Sequence, residues 1–555
     1  APSIHSPFLS IALTMFIFSS CSNQAKVSPE SGDKVETIIN NMSLKEKIGQ
    51  LFIVNYSSYS TNREISRLIK RDKVGGLILM ESDPVEHCER MNALQKKADI
   101  PLLITIDGEW GASMRFDTLT QYPRNMQLGA LSSEALVYEV GKSMATQFRR
   151  LGIHVNYAPT VDINNNPKNP VIGTRSFGDD REKVAKYGSA LFRGLQDGGV
   201  GTSAKHFPGH GDTEVDSHKA LPLLPFGRER LDSLELYPFK KAIADGVWMI
   251  MVGHLSIPAL DSTLIPSSIS YPIITNLLKE ELGYKGIVIT DALNMKGVSE
   301  YIPAETVATE SFKAGSDLLL MPPKNYHKSI NNLYKAVKRG EISEERVNES
   351  LRKMLKLKEH LGILESVEDI SPENIFADLE NKEVLDLIQE VSDSSVTLIK
   401  TPSYPLDKNN KRSLYQKIAD SKAIAIELDK RISTESLDAA KASAEGKECV
   451  VLYLPELRAP KNDRELYSKL SPDEIYAYIS NWAKEQKIVL AIMDTPYVLD
   501  KIDIPAFDGI IVGYSTSEMN KRSVSKVLNG EIVPHGVLPV VAGGFPNGYN
   551  YKSSK

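Results

Sequence analysis

Short apolar runs alternate with stretches of helical spacing between residues 35 and 365. Eight runs have the length and the Val, Ile and Leu content of buried strands, and each ends in a polar or turn residue. Helical spacing separates them, for example at 134–150, 181–196, 233–244 and 306–313. The eight runs are IGQLFIV, VGGLILM, PLLITID, IHVNYAP, VGTSAKHF, VWMIMVGH, KGIVITD and SDLLLMPP. Buried strands joined by crossover helices pair in parallel, so the pattern predicts an α/β fold with a closed (βα)8 barrel of the TIM type; an open doubly wound sheet is the alternative.

A second set of strands and helices follows the barrel pattern. Residues 343–360 read as an amphipathic helix that closes the barrel, and SVEDISPENIF is a polar connection. Helical stretches at 473–485 and 519–528 alternate with the strands SVTLIK, KAIAIEL, ECVVLYLP, KIVLAIMD and DGIIVGY. We therefore predict a catalytic barrel over 35–365 and a smaller α/β sandwich domain over 366–555.

The chain opens with an apolar segment of signal-peptide length, PFLSIALTMFIFSSCSNQ. Small residues precede Cys21, so residues 1–21 resemble a bacterial lipoprotein signal in which Cys21 receives the lipid. A single membrane anchor is the alternative. Residues 22–34 form a polar tether. The segment predicts an exported protein of the cell envelope, held to the membrane through a lipid on Cys21 and facing the periplasm or the exterior.

Composition and charge exclude some classes of protein. The 555 residues are 41% hydrophobic and 25% charged, which fits a globular chain with two or more cores. The formal net charge is −5 and no run of Lys or Arg occurs, so there is no electrostatic case for a nucleic-acid partner. Three cysteines, Cys21, Cys88 and Cys449, are too few and too scattered for a disulfide framework or a zinc site.

One polar stretch, KHFPGHGDTEVDSH at 205–218, concentrates ionisable side chains. Its two glycines and its proline exclude a helix or a regular strand over its length. The buried run VGTSAK comes directly before it, so the stretch leaves the carboxyl end of a strand, where α/β enzymes place their chemistry. Its ionisable residues are Lys205, His206, His210, Asp212, Glu214, Asp216 and His218. We interpret the stretch as a catalytic loop.

Other predicted strands also end in polar or ionisable residues. These are Asp107, the segment 156–162, His254 and Asp291, in addition to Lys205 and His206. Burial alone does not require ionisable groups at the same end of several apolar strands. In a barrel these ends meet on one face, so the alignment predicts an active site there.

Several of these residues have a second interpretation. Asp107 and Asp291 could cap the helices that follow them, and Arg175 could be a surface residue instead of a ligand clamp. Asp216 can hold one nitrogen of His218 while the other faces a reactant. The same loop could instead bind a metal through His206, His210, Asp212, Asp216 and His218. Against a metal, the first strand, in QLFIVNY, ends without His or Asp.

Four motifs in order, IDGEWGASMRF, VIGTRSFG, KHFPGHGDTEVDSH and VITDALNMKG, resemble glycoside hydrolase family 3, in its β-N-acetylglucosaminidase branch. SVTLIK and GVLPVV extend the resemblance to the two-domain form. The resemblance implies that Asp291 is the nucleophile and His218 the general acid/base, with Asp216 as its partner. It implies no metal and no cofactor. It places sugar contacts at Asp107, Arg115, Arg175, Lys205 and His206.

The chain departs from the family pattern at Gly108 and Trp110, where many relatives have DQEGG, and this puts the local loop shape in doubt. The resemblance implies a retaining exo-enzyme that removes terminal N-acetylglucosamine from peptidoglycan fragments or related glycosides. A His then replaces the usual second carboxylate, and we expect its loop to move when substrate binds. The alternatives are a phosphorylase, because a neutral His admits phosphate, a β-glucosidase, and a glycan-binding protein without catalysis.

Overall fold

The structure is a computed structural model, and it describes residues 33–57, 60, 62–80, 82–323, 325–457 and 470–551. Cys21 and the rest of the predicted signal lie outside these ranges, as does nearly all of the tether. Within the described ranges, every helix is too short or too polar to cross a membrane.

Eight parallel strands form the barrel, in the spatial order β7-β6-β5-β4-β3-β2-β1-β8. Their bounds are β1 Phe52–Tyr56, β2 Gly76–Leu79, β3 Leu103–Ile106, β4 Val155–Asn156, β5 Gly201–Phe207, β6 Met249–Val252, β7 Ile287–Thr290 and β8 Leu319–Leu320. A parallel bridge between Ile289 and Leu318 joins the two ends of this order. The predicted barrel is thus confirmed, and the open-sheet alternative is wrong.

Helices surround the strands in the order that the apolar spacing predicts. In chain order they are α1 Lys34–Asn41, α2 Leu44–Gly49, α3 Asn62–Asp72, α4 Pro84–Gln95, α5 Asn125–Gly129, α6 Glu134–Arg150, α7 Arg181–Asp197, α8 Arg228–Ser233, α9 Tyr237–Ala244, α10 Lys296–Ser299, α11 Val307–Ala314, α12 Tyr326–Lys338 and α13 Glu344–His360. A π-helix spans Pro272–Glu281. Three-residue 3-10 turns lie at Ala112–Met114, Gly173–Arg175 and Ser267–Ile269.

One predicted helix, 233–244, is wrong at its start. The chain forms α8, breaks at 234–236, and begins α9 at Tyr237. Pro238 lies in the first turn of α9, where its missing N–H costs no hydrogen bond, so it favours a new helix start over continuation of α8.

The second domain is a five-stranded sheet in the order β10-β11-β12-β13-β9. Its strands are β9 Thr397–Lys400, β10 Ala423–Glu427, β11 Cys449–Pro455, β12 Ile488–Met493 and β13 Gly509–Val512. Its helices are α14 Ile375–Leu379, α15 Lys382–Ser395, α16 Leu414–Ala419, α17 Thr434–Ser443, α18 Pro472–Glu485 and α19 Glu518–Leu528, with 3-10 helices at Pro496–Asp500 and Ile504–Ala506. Alternate residues of β11 to β13 enter two separate apolar cores, so both faces of the sheet are covered.

All five predicted strands of this domain are present, but β9 runs antiparallel to β13 at the edge of the sheet. The domains also share packing. Buried residues of α14 and α15 join the core of the barrel. Met126, within α5, and Ala130, directly after it, join the core of the second domain. The Val537 N–H donates to the Ala130 carbonyl at 2.9 Å.

Candidate active site

The site lies at the carboxyl ends of β3, β5, β6 and β7, which deliver Asp107, Lys205, His206, His254 and Asp291. The predicted strand VGTSAKHF is confirmed, since β5 continues to Phe207 and the loop begins only at Pro208. The pairing of β5 with β6 is irregular here. Ala204 pairs with Ile250, and the next pair is Phe207 with Val252. Lys205 and His206 therefore lie where the register of β5 against β6 shifts. The glycines and the proline that follow them in the sequence do not indicate this shift.

A network of charged groups lies at the ends of β3 and β5. Lys205 Nζ is 2.9 Å from Asp107 Oδ1 and 2.9 Å from Glu109 Oε1. Arg175 donates to both oxygens of Glu109, at 2.9 and 2.7 Å. Arg115 donates to the other oxygen of Asp107 at 3.2 Å. The structure thus brings four predicted sugar-binding residues together around Glu109, to which the sequence interpretation assigned no role.

Burial divides this network into an inner and an outer part. The side chains of Lys205 and Glu109 are 2% and 3% exposed, whereas Asp107 and Arg175 are 23% and 20% exposed. Burial raises the pKa of Glu109, but Arg175 and Lys205 lower it more, to well below its ordinary value. Burial lowers the pKa of Lys205, but Asp107 and Glu109 raise it more. The inner pair is therefore charged, and it fixes the outer side chains. The Asp107 carboxylate can accept from sugar hydroxyls, and the Arg175 guanidinium can donate to them.

Glu109→Gln keeps the shape of the side chain and removes its charge, so Lys205 and Arg175 lose a buried counter-ion. We expect the free energy of unfolding at neutral pH to fall by about 3 kcal/mol, measured by urea denaturation. We also expect KM to rise, because Arg175 is no longer held by two bonds. The folded pKa of Glu109 is lowered, so its contribution is full at neutral pH and is lost only as the pH falls below the ordinary carboxyl value.

The control is Glu300→Gln, which makes the same charge change on an exposed side chain. It should alter neither the unfolding free energy nor KM. An unfolding free energy for Glu109→Gln equal to that of Glu300→Gln would contradict the role of Glu109 as a buried counter-ion.

His206 is oriented by a carboxylate beneath it. Its Nδ1 is 2.7 Å from Asp162 Oδ2, and its Nε2 is 3.3 Å from Nη2 of Arg175. Asp162 is 1% exposed and also accepts the His210 N–H at 2.7 Å. Burial raises the pKa of Asp162, and His206 and His210 lower it more, so the carboxylate is ionised. Asp162 lies in the polar run 156–162 that the sequence singled out, but its bond to a residue 44 positions away is not visible there.

Asp291 is the first residue after β7, and it accepts the Ala292 N–H at 2.7 Å. Burial raises the pKa of this carboxyl, but charges on His206 and His254, the Ala292 N–H and Lys205 lower it more, to about 2. The buried ring of His254 is held by Ser268 Oγ at 2.7 Å and by the Ala292 carbonyl at 3.0 Å. An ionised carboxylate in this setting can attack an electrophilic carbon, and it cannot serve as a proton donor near neutral pH.

Asp216 and His218 form a hydrogen-bonded pair, with 2.8 Å between Asp216 Oδ1 and His218 Nδ1. The same oxygen accepts the His218 N–H at 2.9 Å. The imidazole is 64% exposed and Asp216 is 23% exposed. Burial raises the pKa of Asp216, but its bonds to His218 lower it more. The pair can therefore exchange a proton with a group outside the barrel while its carboxylate stays charged.

The loop that carries Asp216 and His218, called the dyad loop below, contacts the segment that follows Asp291. The Gly297 N–H donates to the Ser217 carbonyl at 3.0 Å. A Cβ on Gly297 would lie 2.8 Å from that oxygen and 3.2 Å from Cβ of His254. The close approach therefore requires glycine, and it brings the dyad loop and the Asp291 segment into contact.

The residues of the alternative metal site have separate partners. His206 binds Asp162, His210 binds Thr213 and Ser217, and Asp216 binds His218. Asp212 accepts from Arg230 at 2.9 Å. In the described part of the chain, no three His, Cys, Asp or Glu side chains are grouped to hold a metal ion. Cys88 and Cys449 are buried and free.

Comparison with known proteins gives consistent matches. The model of the glycosyl hydrolase family 3 N-terminal domain matches residues 43–357. Beta-hexosaminidase A of Pseudoalteromonas piscicida is 36% identical over 331 residues, which are 54% of this chain and 55% of that protein. A Cellulomonas fimi protein named beta-N-acetylglucosaminidase/beta-glucosidase is 27% identical over 544 residues, covering 92% of this chain and 95% of that protein. The match thus spans about half the length of the first relative and nearly all of the second.

A solved structure matches over the same extent. The family 3 beta-N-acetylglucosaminidase of Paenibacillus sp. str. FPU-7 superposes with a TM-score of 0.78 and 31% identity, covering 91% of this chain and 100% of that chain. Both domains of the present chain are therefore included in the match.

Proposed function

The chain belongs to glycosyl hydrolase family 3, and we propose that it is a retaining exo-β-N-acetylglucosaminidase. The observation that carries the proposal is Asp291, a carboxylate kept ionised at a strand end beside a cluster that suits sugar hydroxyls. The relatives named beta-hexosaminidase and beta-N-acetylglucosaminidase support N-acetylglucosamine as the sugar.

In the first step Asp291 attacks the anomeric carbon and forms a glycosyl ester, while the glycosidic C–O bond breaks. Protonated His218 gives its proton to the departing oxygen. In the second step neutral His218 takes a proton from water, the water oxygen attacks the same carbon, and Asp291 leaves as a carboxylate. Two inversions retain the anomeric configuration. Asp216 orients the imidazole and stabilises its charged form.

The charged network supports exo action. Lys205, Glu109 and His206 are buried, and in our proposal they form the inner end of a site for a single terminal sugar. Asp107, Arg115 and Arg175 remain partly exposed and are available to its hydroxyls. The exposure of His218 suits a loop that closes on bound substrate and brings the imidazole to the leaving oxygen.

We further propose that the substrates are peptidoglycan fragments with a terminal N-acetylglucosamine. The enzyme then acts in the cell envelope, anchored by a lipid on Cys21. The support for location is the N-terminal sequence alone, where an apolar run ends in Ser-Ser-Cys. The support for the substrate is the resemblance of the four barrel motifs to the N-acetylglucosaminidase branch.

The test is a panel of 4-nitrophenyl β-glycosides assayed with and without phosphate. We expect the N-acetylglucosaminide to exceed the glucoside in kcat/KM by at least about 10²-fold, because a site that hydrogen-bonds an acetamido group leaves its polar groups unpaired when glucose binds. Phosphate should leave the rate and the product unchanged. Equal turnover of both glycosides would contradict the proposed sugar, and formation of N-acetylglucosamine 1-phosphate would establish a phosphorylase instead.

A further inference from the structure

Ser217 lies between the two dyad residues and is held from two sides. Its carbonyl accepts the Gly297 N–H at 3.0 Å, and its hydroxyl oxygen is 3.1 Å from Nε2 of His210. Ser217 and His210 are 2% and 1% exposed, so water does not compete for either contact. The exposed imidazole of His218 therefore has a buried anchor one residue away.

His210 is part of a buried chain of hydrogen bonds. Asn169 Nδ2 donates to Thr213 Oγ1 at 3.3 Å, and Thr213 Oγ1 is 2.8 Å from His210 Nδ1. The Thr213 hydroxyl also donates to the His210 carbonyl at 3.2 Å. In either tautomer of the neutral ring one nitrogen donates and the other accepts, so the ring joins the hydroxyls of Thr213 and Ser217. Asn169 also donates to the carbonyls of His210 and Gly211, at 2.8 and 2.9 Å. The start of the dyad loop is thus fixed on both its backbone and its side chains.

The imidazole of His210 stays neutral near neutral pH. Burial lowers the pKa of His210 most, and His206 lowers it further, whereas Asp162 raises it in part. The resulting pKa is about 4. A neutral ring has one N–H and one acceptor nitrogen, and both are used in the chain described above. His210 therefore has neither a free nitrogen nor the solvent access that a proton donor to substrate needs.

We infer that His210 is a positioning residue for the general acid/base, and that it acts by holding Ser217 between Asp216 and His218. The inference rests on the proposed function. The backbone N–H of His210 donates to Asp162, the carboxylate that also holds Nδ1 of His206. One buried carboxylate thus links a sugar-binding ring to the anchor of the proton donor. Any closing movement of the dyad then pivots at Ser217.

The test compares two aryl β-N-acetylglucosaminides, one with a good leaving group (2,4-dinitrophenyl) and one with a poor one (phenyl). Ser217→Ala and His210→Asn should each lower kcat/KM for the phenyl glycoside by about 10- to 100-fold, the cost of a misplaced catalytic group. For the dinitrophenyl glycoside kcat/KM, which reports the first step alone, should stay within about threefold, because departure of this group needs no proton. His210→Gln, whose longer side chain can still form a hydrogen bond with Ser217, should recover most of the loss.

Two further variants separate positioning from support of the fold. Adding Ser217→Ala to His218→Ala should cause no additional loss, because no imidazole remains to be placed. Asn165→Ala is the matched control, since Asn165 Nδ2 bonds Asp212 Oδ2 at 3.1 Å and stabilises the same loop at another point. This control should leave both glycosides unchanged. Ser217→Ala removes a single hydroxyl and keeps the test decisive if His210→Asn does not fold.

Three outcomes would overturn the inference alone: equal losses for both glycosides in Ser217→Ala, additive losses in the double variant, or the same leaving-group dependence in Asn165→Ala. A different result would overturn the proposed acid/base itself. If His218→Ala slows both glycosides equally, the dyad is not the proton donor, and the inference falls with that assignment.

Discussion

Asp291→Ala is expected to lower kcat by about 10⁴-fold or more on good and poor leaving groups alike, because no group remains to form the glycosyl ester. The other charged side chains nearby are committed elsewhere. Asp107 and Glu109 are bound to Lys205, and Asp162 is bound to His206. The loss should therefore not be compensated by a neighbouring carboxylate. The thermal unfolding midpoint of the variant, compared with that of wild type, checks that the fold is retained.

Labelling identifies the nucleophile directly. A 2-fluoro or 5-fluoro derivative of the sugar slows the breakdown of the ester, so mass spectrometry of the digested enzyme should find the label on the peptide that contains Asp291. The pKa of Asp291 is about 2, so labelling should continue at pH values where an ordinary carboxylate begins to be protonated. A label on Asp107 or Glu109 would refute the assignment.

His218→Ala is expected to lower turnover most for substrates whose leaving group needs a proton to depart. General acid catalysis typically contributes about 10² to 10⁴ in rate, so turnover of a phenyl or natural glycoside should fall by that factor while a dinitrophenyl glycoside changes little in its first step. The alkaline limb of the pH profile should disappear, because it reports loss of the donated proton. Asp216→Ala should follow the same trend less severely, since Asp216 orients the ring and moves no proton.

The measurement is a plot of kcat/KM against leaving-group acidity for wild type and both variants, with azide added in a second series. A small anion can attack the glycosyl ester without a general base, so azide should restore turnover of the dinitrophenyl glycoside by His218→Ala. A uniform slowing across all leaving groups would make His218 a binding residue. The proton donor would then have to be sought at Glu214 or Asp212 on the same loop.

Apolar patterning was sufficient to predict the barrel because parallel strands are buried on both faces. Such strands appear as continuous apolar runs, and each of the eight runs overlaps a strand of the structure. The apolar pattern does not indicate whether a strand pairs in parallel or antiparallel. SVTLIK has the same composition as its neighbours, yet β9 is antiparallel because it adds to the free edge of β13. The register shift at Lys205 and His206 likewise depends on β6, which follows more than 40 positions later in the chain.

Site residues that belong to a recognised motif were predicted individually. Residues whose role depends on contacts with distant parts of the chain were missed. Glu109 stands two residues after Asp107 in the same motif, but its importance comes from Arg175, 66 positions away. Asp162 gains its role from His206 in the same way. The signal for both was an acidic residue in the segment that follows an apolar strand. The sequence cannot say which distant cation or imidazole faces such a residue.

The packing of Met126 and Ala130 in the core of the second domain has a thermodynamic consequence. Separating the domains would expose two almost fully buried apolar side chains and leave the Ala130 carbonyl without its partner. We therefore expect barrel and sandwich to melt in one calorimetric transition, although many two-domain proteins do not. Glycan bound at the barrel strands would then raise the unfolding midpoint of the second domain as well.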